Sequence, residues 1–101
     1  MYARVAGFAG ADPSRMEELI EAERNEIESG MQSPPPGLEG AKAVWILADR
    51  ETGDGLQITL FETEDELRRG DAALNGLAPP EAARWRRTDV KAYEVIVQVE
   101  R

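Results

Sequence analysis

The order of patterned segments (strand, helix, strand, strand, helix, strand) predicts an α+β domain of the ferredoxin-like plan, a four-stranded antiparallel sheet with two helices packed on one face. Three features carry that reading. Alternating segments lie near both ends of the chain, two helix starts carry capping residues, and a turn-rich stretch divides two central strands into a hairpin.

The first strand runs from Met1 to Phe8, with Ala3, Val5 and Gly7 on one side and Tyr2, Arg4, Ala6 and Phe8 on the other. A strand beginning at the first residue leaves no room for a leader, and no basic segment followed by an apolar stretch suggests secretion. Asp12-Pro13 opens a helix, because the Asp side chain accepts a bond from a free first-turn amide and Pro costs nothing at the first helical position. Met16, Leu19, Ile20, Glu23 and Ile27 follow helical spacing, a stripe that is apolar except at Glu23. Glu17, Glu18, Glu21, Glu26 and Glu28 form the solvated side, and Ser29-Gly30 is the expected end.

Pro34-Pro35-Pro36-Gly37 is a stiff connector within one domain. Ala41 to Ala48 and Leu56 to Phe61 are the hairpin strands, joined by turn chemistry from Asp49 to Gly55. The spaced acids there fail as a calcium loop, since its sixth position is Asp54 instead of Gly and its twelfth is Leu60 instead of Glu. Thr63 and Glu66 fit a capping box for a helix that continues through Leu74. Gly76, Pro79 and Pro80 interrupt it, Glu81 to Trp85 suggests a short turn, and Val90 to Glu100 alternates as a last strand.

The chain has 101 residues and a formal charge of -8, from 20 acidic and 12 basic side chains, with no Cys and no His. One domain is expected, with a modest core that a partner chain would supplement. Disulfides, thiolate nucleophiles, Ser-His-Asp catalysis, His-ligated haem and the usual zinc sites are excluded, and no metal site is expected. The acidic balance argues against nucleic acid. Arg84, Arg86, Arg87 and Lys91 cluster against Asp89, which reads more simply as a solvated loop than as an anion site. The longest apolar run, Ala43 to Ala48, is far short of the ~20 residues of a membrane span, so the cytoplasm is the default location.

One sheet face must remain uncovered by the helices. If the apolar positions Val5, Leu56, Ile58, Leu60, Val95 and Val97 meet the helices, the other face carries Tyr2, Phe8, Phe61 and Ile96 with Arg4, Gln57, Thr59, Glu94 and Gln98. That mixture is too apolar for water and too polar for a dry core, so a second sheet from a homodimer partner is expected across it. The alternative is an ordinary solvated sheet. An Arg4–Glu94 cross-strand pair is expected between the first and last strands.

Pro36-Gly37-Leu38-Glu39-Gly40, Trp45 to Gly53 and Ile58 to Leu67, with the opening Met1 to Val5, resemble the antibiotic-biosynthesis-monooxygenase-like domains of the dimeric α/β-barrel superfamily over essentially the whole chain. The resemblance implies a dimer whose two sheets close into a barrel-like core, with a ligand cavity between each sheet and its helices or at the sheet face. Some such proteins oxidise polycyclic aromatic phenols to quinones without a cofactor, and some degrade haem. Catalytic relatives often carry Trp where this chain has Phe61, followed by a His that is absent here; haem degradation is therefore not expected.

Cofactor-independent oxygenation needs an aromatic-sized pocket, a base and donors for developing charge. Glu94 is the candidate base, Arg4 or Gln57 the donor, and Tyr2, Trp45, Phe61 and Tyr93 the aromatic walls, with Thr59 beside them. Each has a plainer alternative in packing or a structural ion pair. Asn75 reads as a cap, Trp85 as a loop cover, and Asp49 and Arg50 as residues that shape the hairpin. A small apolar or aromatic ligand bound without a cofactor is one expectation; the other is a noncatalytic homodimeric structural or stress-related interaction protein.

Overall fold

The computed structural model describes residues 1–77 and 85–101. Strand β1 (Tyr2–Ala9) leads through a short 3-10 turn (Pro13–Arg15) into helix α1 (Met16–Gln32). Strands β2 (Ala41–Ala48) and β3 (Gly55–Phe61) form the hairpin, and helix α2 (Glu64–Asn75) precedes strand β4 (Arg86–Glu94). The sheet order is β2-β3-β1-β4 with every adjacent pair antiparallel, which is the ferredoxin-like plan. No helix among the described residues is long and apolar enough to cross a membrane.

Local chemistry accounts for most boundaries. Asp12 accepts bonds from the Ser14 amide and hydroxyl at 2.9 and 2.7 Å, starting the turn ahead of α1. Gly30 does not end that helix as expected: α1 continues to Gln32, because a helical Gly costs only about 1 kcal/mol whereas the following Pro34 forces Ser33 out of helical geometry. Asp49 shapes the hairpin as expected, its carboxylate accepting from the amides of Glu51 and Thr52. Arg50 instead pairs with Glu17 of α1. At α2 the Thr63 hydroxyl accepts from the Glu66 amide at 3.2 Å, while the Glu66 carboxylate takes the Glu62 amide, so the capping box is offset by one residue.

The last strand is displaced from its expected span, Val90 to Glu100. It begins earlier because Trp85 anchors it: the ring is buried, lies 4.9 Å from that of Phe8, and donates from Nε1 to the Gly53 carbonyl at 3.1 Å. It ends earlier because its neighbour β1 starts at Tyr2, so the Val95 amide bonded to the Met1 carbonyl is the last rung. Residues 95–101 run on past the sheet, with Ile96, Val97 and Val99 exposed. Except for Trp85, the expected turn from Glu81 to Trp85 lies outside the described residues, as does Arg84.

The two sheet faces are the reverse of the expectation. Pairing of Val5 with Ile58, and of Ile58 with Trp45, places Ala3, Val5, Leu56, Ile58, Leu60, Trp45, Leu47 and Tyr93 on one face, with Lys91 and Asp89 on its β4 edge. Tyr2, Arg4, Ala6, Phe8, Gln57, Thr59, Phe61 and Glu94 share the other. The helices cover this second, mixed face, which is possible because α2 supplies polar partners to the buried Arg4. The apolar face is left open, with Trp45 and Tyr93 each 52% exposed. Val95, Ile96, Val97 and Gln98, assigned above to sheet faces, lie beyond β4.

Two packed regions flank the helix-covered face. Met16, Leu19, Ala11 and Trp85 form one, supported by Phe8, Ile20 and Ile46. In the other, Phe61 is fully buried against Gly70 of α2, where a Cβ would overlap its ring. Gly70→Ala should therefore cost up to about 2 kcal/mol, overpacking of ~1–3 kcal/mol being offset by a gain of ~1 kcal/mol in helix propensity. Urea denaturation checks this; an unchanged midpoint would mean that the Phe61 ring shifts without penalty.

Candidate functional site

Between the two packed regions lies a cavity of about 140 Å³, bounded by the sheet, α1, the Pro-rich connector and the end of α2. Its apolar wall includes Phe8, Ile27, Leu38, Val44 and Leu74. Glu26, Met31, Pro35 and Leu77 line it too and are exposed, so they form the mouth. Gly30 also lines it, and a Cβ there would meet nothing within 4 Å, so the glycine leaves space open.

Five polar side chains line the same space: Glu23, Glu26, Gln57, Thr59 and Arg87. Thr59 is 1% exposed and its hydroxyl has no hydrogen-bond partner among the described residues. An unmade buried bond costs about 1–3 kcal/mol, so this hydroxyl is a local cost to the fold. Burial, and secondarily the nearby Glu26 carboxylate, raises the pKa of Glu23 above the ordinary value. Neither glutamate pairs with a cation among the described residues. Arg87 is committed elsewhere, donating to the Leu74 and Leu77 carbonyls at 3.0 and 2.8 Å, with a longer contact to that of Asn75. It caps the C-terminal carbonyls of α2 and keeps its positive charge in the same lining as the two acids.

The predicted site residues separate into three groups. Gln57 and Thr59 line the cavity. Tyr2, Arg4, Phe61 and Glu94 share their sheet face but lie outside the cavity lining, and Trp45 is on the opposite, open face. The expected Arg4–Glu94 pair does not form, because Arg4 stands opposite Ala92 and Glu94 opposite Tyr2. Arg4, 1% exposed, instead donates from Nε to Asp71 and from Nη2 to the Asn75 side chain, both at 2.8 Å. Asn75 is thus an arginine ligand, and Gly76 is the helix cap.

Glu23, Glu26, Gly30 and Arg87 were not among the expected site residues. One sequence signal pointed to them: Glu23 interrupts an otherwise apolar helical stripe, so its carboxyl had to enter the space between helix and sheet. Among the described residues, no group of three or more acidic side chains is placed to hold a metal ion.

No protein-family model matches the chain, and no curated protein matches it in sequence. Solved structures do. One from Deinococcus radiodurans, provisionally described as an antibiotic biosynthesis monooxygenase, has a TM-score of 0.63 over 99% of this chain and 97% of its own, at 12% identity. A conserved protein from Methanosarcina mazei has a TM-score of 0.57 at 14% identity, covering 92% of this chain and 91% of its own. A Nitrosomonas europaea protein with the same provisional description has 0.52 at 18%, covering 96% and 100%. The resemblance found in the hairpin and its flanking motifs thus holds at the level of fold: this chain has the ferredoxin-like architecture of structures described as antibiotic biosynthesis monooxygenases.

Proposed function

We propose that the protein is a homodimer that binds a small apolar or aromatic molecule in the cavity between its sheet and helices. The observation that carries the reading is the largely apolar cavity of about 140 Å³ between the sheet and α1, walled by Phe8, Ile27, Leu38, Val44 and Leu74. A dry apolar cavity of ~150 Å³ is known to accept benzene, so the volume suits a single ring better than the polycyclic phenols the resemblance implies. Gly30 fits the same purpose, since a helical Gly is unfavourable unless its missing side chain is useful.

Dimerisation is supported by the open apolar sheet. Strands spaced ~4.8 Å apart and advancing ~3.4 Å per residue give this face a flat footprint on the order of 500 Å². Side-chain relief and the exposed apolar tail at 95–101 bring it toward the ~800 Å² that each partner contributes to a stable interface. The same face supports a second reading, a noncatalytic interaction dimer, which requires assembly but no ligand.

Gly30→Leu separates the two readings. The new side chain enters the cavity without a clash at its Cβ, so it should abolish binding of small aromatics while leaving the thermal midpoint unchanged or raised. Calorimetry with single-ring aromatics on both proteins is the test. Equal binding by the variant, or none by the parent, would remove the cavity reading and leave the interaction dimer. Neither Arg4 nor Glu94, the first candidates for oxygenation, is in the lining of this cavity. Glu23 would have to be the base, and oxygen uptake with hydroxylated aromatics tests that directly.

A further inference from the structure

Resting on the homodimer reading above, we propose that residues 95–100 form a further strand that adds to the outer edge of β2 in a second copy of the chain, so that each protomer covers the other's open edge. Each chain carries both halves of such a contact. One half is the segment itself, in which Val95, Ile96, Val97 and Val99 are β-branched, the type that favours strands. Lys91 and Tyr93 of β4 face the open side, so the same alternation carried forward turns Val95, Val97 and Val99 to that side too. Beyond the bond from the Val95 amide to the Met1 carbonyl, this segment makes no backbone hydrogen bond among the described residues, and Ile96, Val97 and Val99 are exposed. The other half is β2, an eight-residue edge strand whose only charged side chain is Lys42. Ala43, Trp45 and Leu47 of β2 belong to the open face. A long apolar edge of this kind recruits another strand unless something covers it.

Charge and distance select this pairing. The other edge strand, β4, carries Arg86, Arg87, Asp89, Lys91 and Glu94 and shifts register against β1, features that discourage strand addition. The chain's own β2 is out of reach. Its outer edge lies four strand spacings from β4, roughly 19 Å, which uses up the ~20 Å that six extended residues span. A copy packed across the open face offers the same edge without that crossing, and two-fold symmetry makes the contact twice. The paired segments also supply area that the sheet face lacks, since its flat footprint falls well below the ~800 Å² each partner contributes to a stable interface.

Amide hydrogen exchange by NMR on the full chain reads the contact directly. Alternate amides of β2 bond to β3 and the intervening ones point outward; in the dimer both sets between Ala43 and Leu47 should exchange slowly. Val97→Pro and Gln98→Pro test the added strand, because each removes a donor from one of its two edges. At least one of them should raise the dimer dissociation constant about a hundredfold, the loss occurring twice per dimer, and should free the outward β2 amides to exchange about tenfold faster or more. Circular dichroism should stay native for both variants, since the segment lies beyond the protomer's own sheet. If the parent is a dimer whose outward β2 amides exchange freely, or if neither proline weakens it, strand addition is overturned and the dimer reading stands on the sheet face alone. If light scattering finds the parent monomeric at micromolar concentration, both fall together.

Discussion

Asp71→Ala should destabilise the fold by about 2–3 kcal/mol, because it strands the Arg4 guanidinium, which is 1% exposed, with only the Asn75 amide for company. Asp71 itself is 41% exposed, so the cost falls below that of breaking a fully buried pair. In a domain of this size the loss corresponds to roughly 10–20 °C in Tm. Arg4→Met should cost markedly less, since it removes the buried charge and lets Asp71 return to water while a similar volume stays filled. With both substitutions present, the Asp71 change should add little, and a double-mutant cycle in urea reads that coupling. An Asp71→Ala cost below about 0.5 kcal/mol would show that Arg4 reaches water by another route.

Trp45→Glu should raise the dimer dissociation constant by about a thousandfold. In a two-fold interface every substitution occurs twice, so each half gains a desolvated carboxylate, on a face whose Lys91 already lies 3.9 Å from Asp89. A cost of about 2 kcal/mol per copy gives that factor. Half-exposed on the open face, Trp45 contributes little to the protomer's own packing, so circular dichroism of the variant should remain native. Light scattering across a concentration series is the measurement. A parent protein that is already monomeric at micromolar concentration, or a variant that remains dimeric, would remove the sheet face as the interface.

The residues that made the fold legible are those whose chemistry is local. Thr63, Asp12 and Asp49 act within three residues of themselves, and the hairpin and both helices followed from them. The sheet faces were not local. Period-two alternation divides a strand into two sides but does not say which side a helix will cover, and the usual rule assigns the apolar side to the core. Here Asp71 and Asn75, some 70 positions from Arg4 in the chain, make the mixed side the buried one. Once the faces are exchanged, the inference of a partner gains force, because the uncovered side is the apolar one. The cavity was legible in part, through Gln57 and Thr59 on the sheet and through Glu23, whose position in an apolar stripe had no local explanation. Arg87 was read as part of a solvated basic stretch because its carbonyl partners lie at the end of another element.

The two tryptophans occupy opposite sides of the sheet. Trp85 is sealed beside Phe8 and bonded to the Gly53 carbonyl, while Trp45 stands half in solvent on the uncovered face. Their fluorescence should therefore report separate events. Dilution of the proposed assembly would shift the Trp45 emission toward that of hydrated indole and leave Trp85 untouched, whereas unfolding would release Trp85. With Trp45→Phe and Trp85→Phe as single-emitter proteins, subunit association and chain folding become two optical signals obtained without any added label.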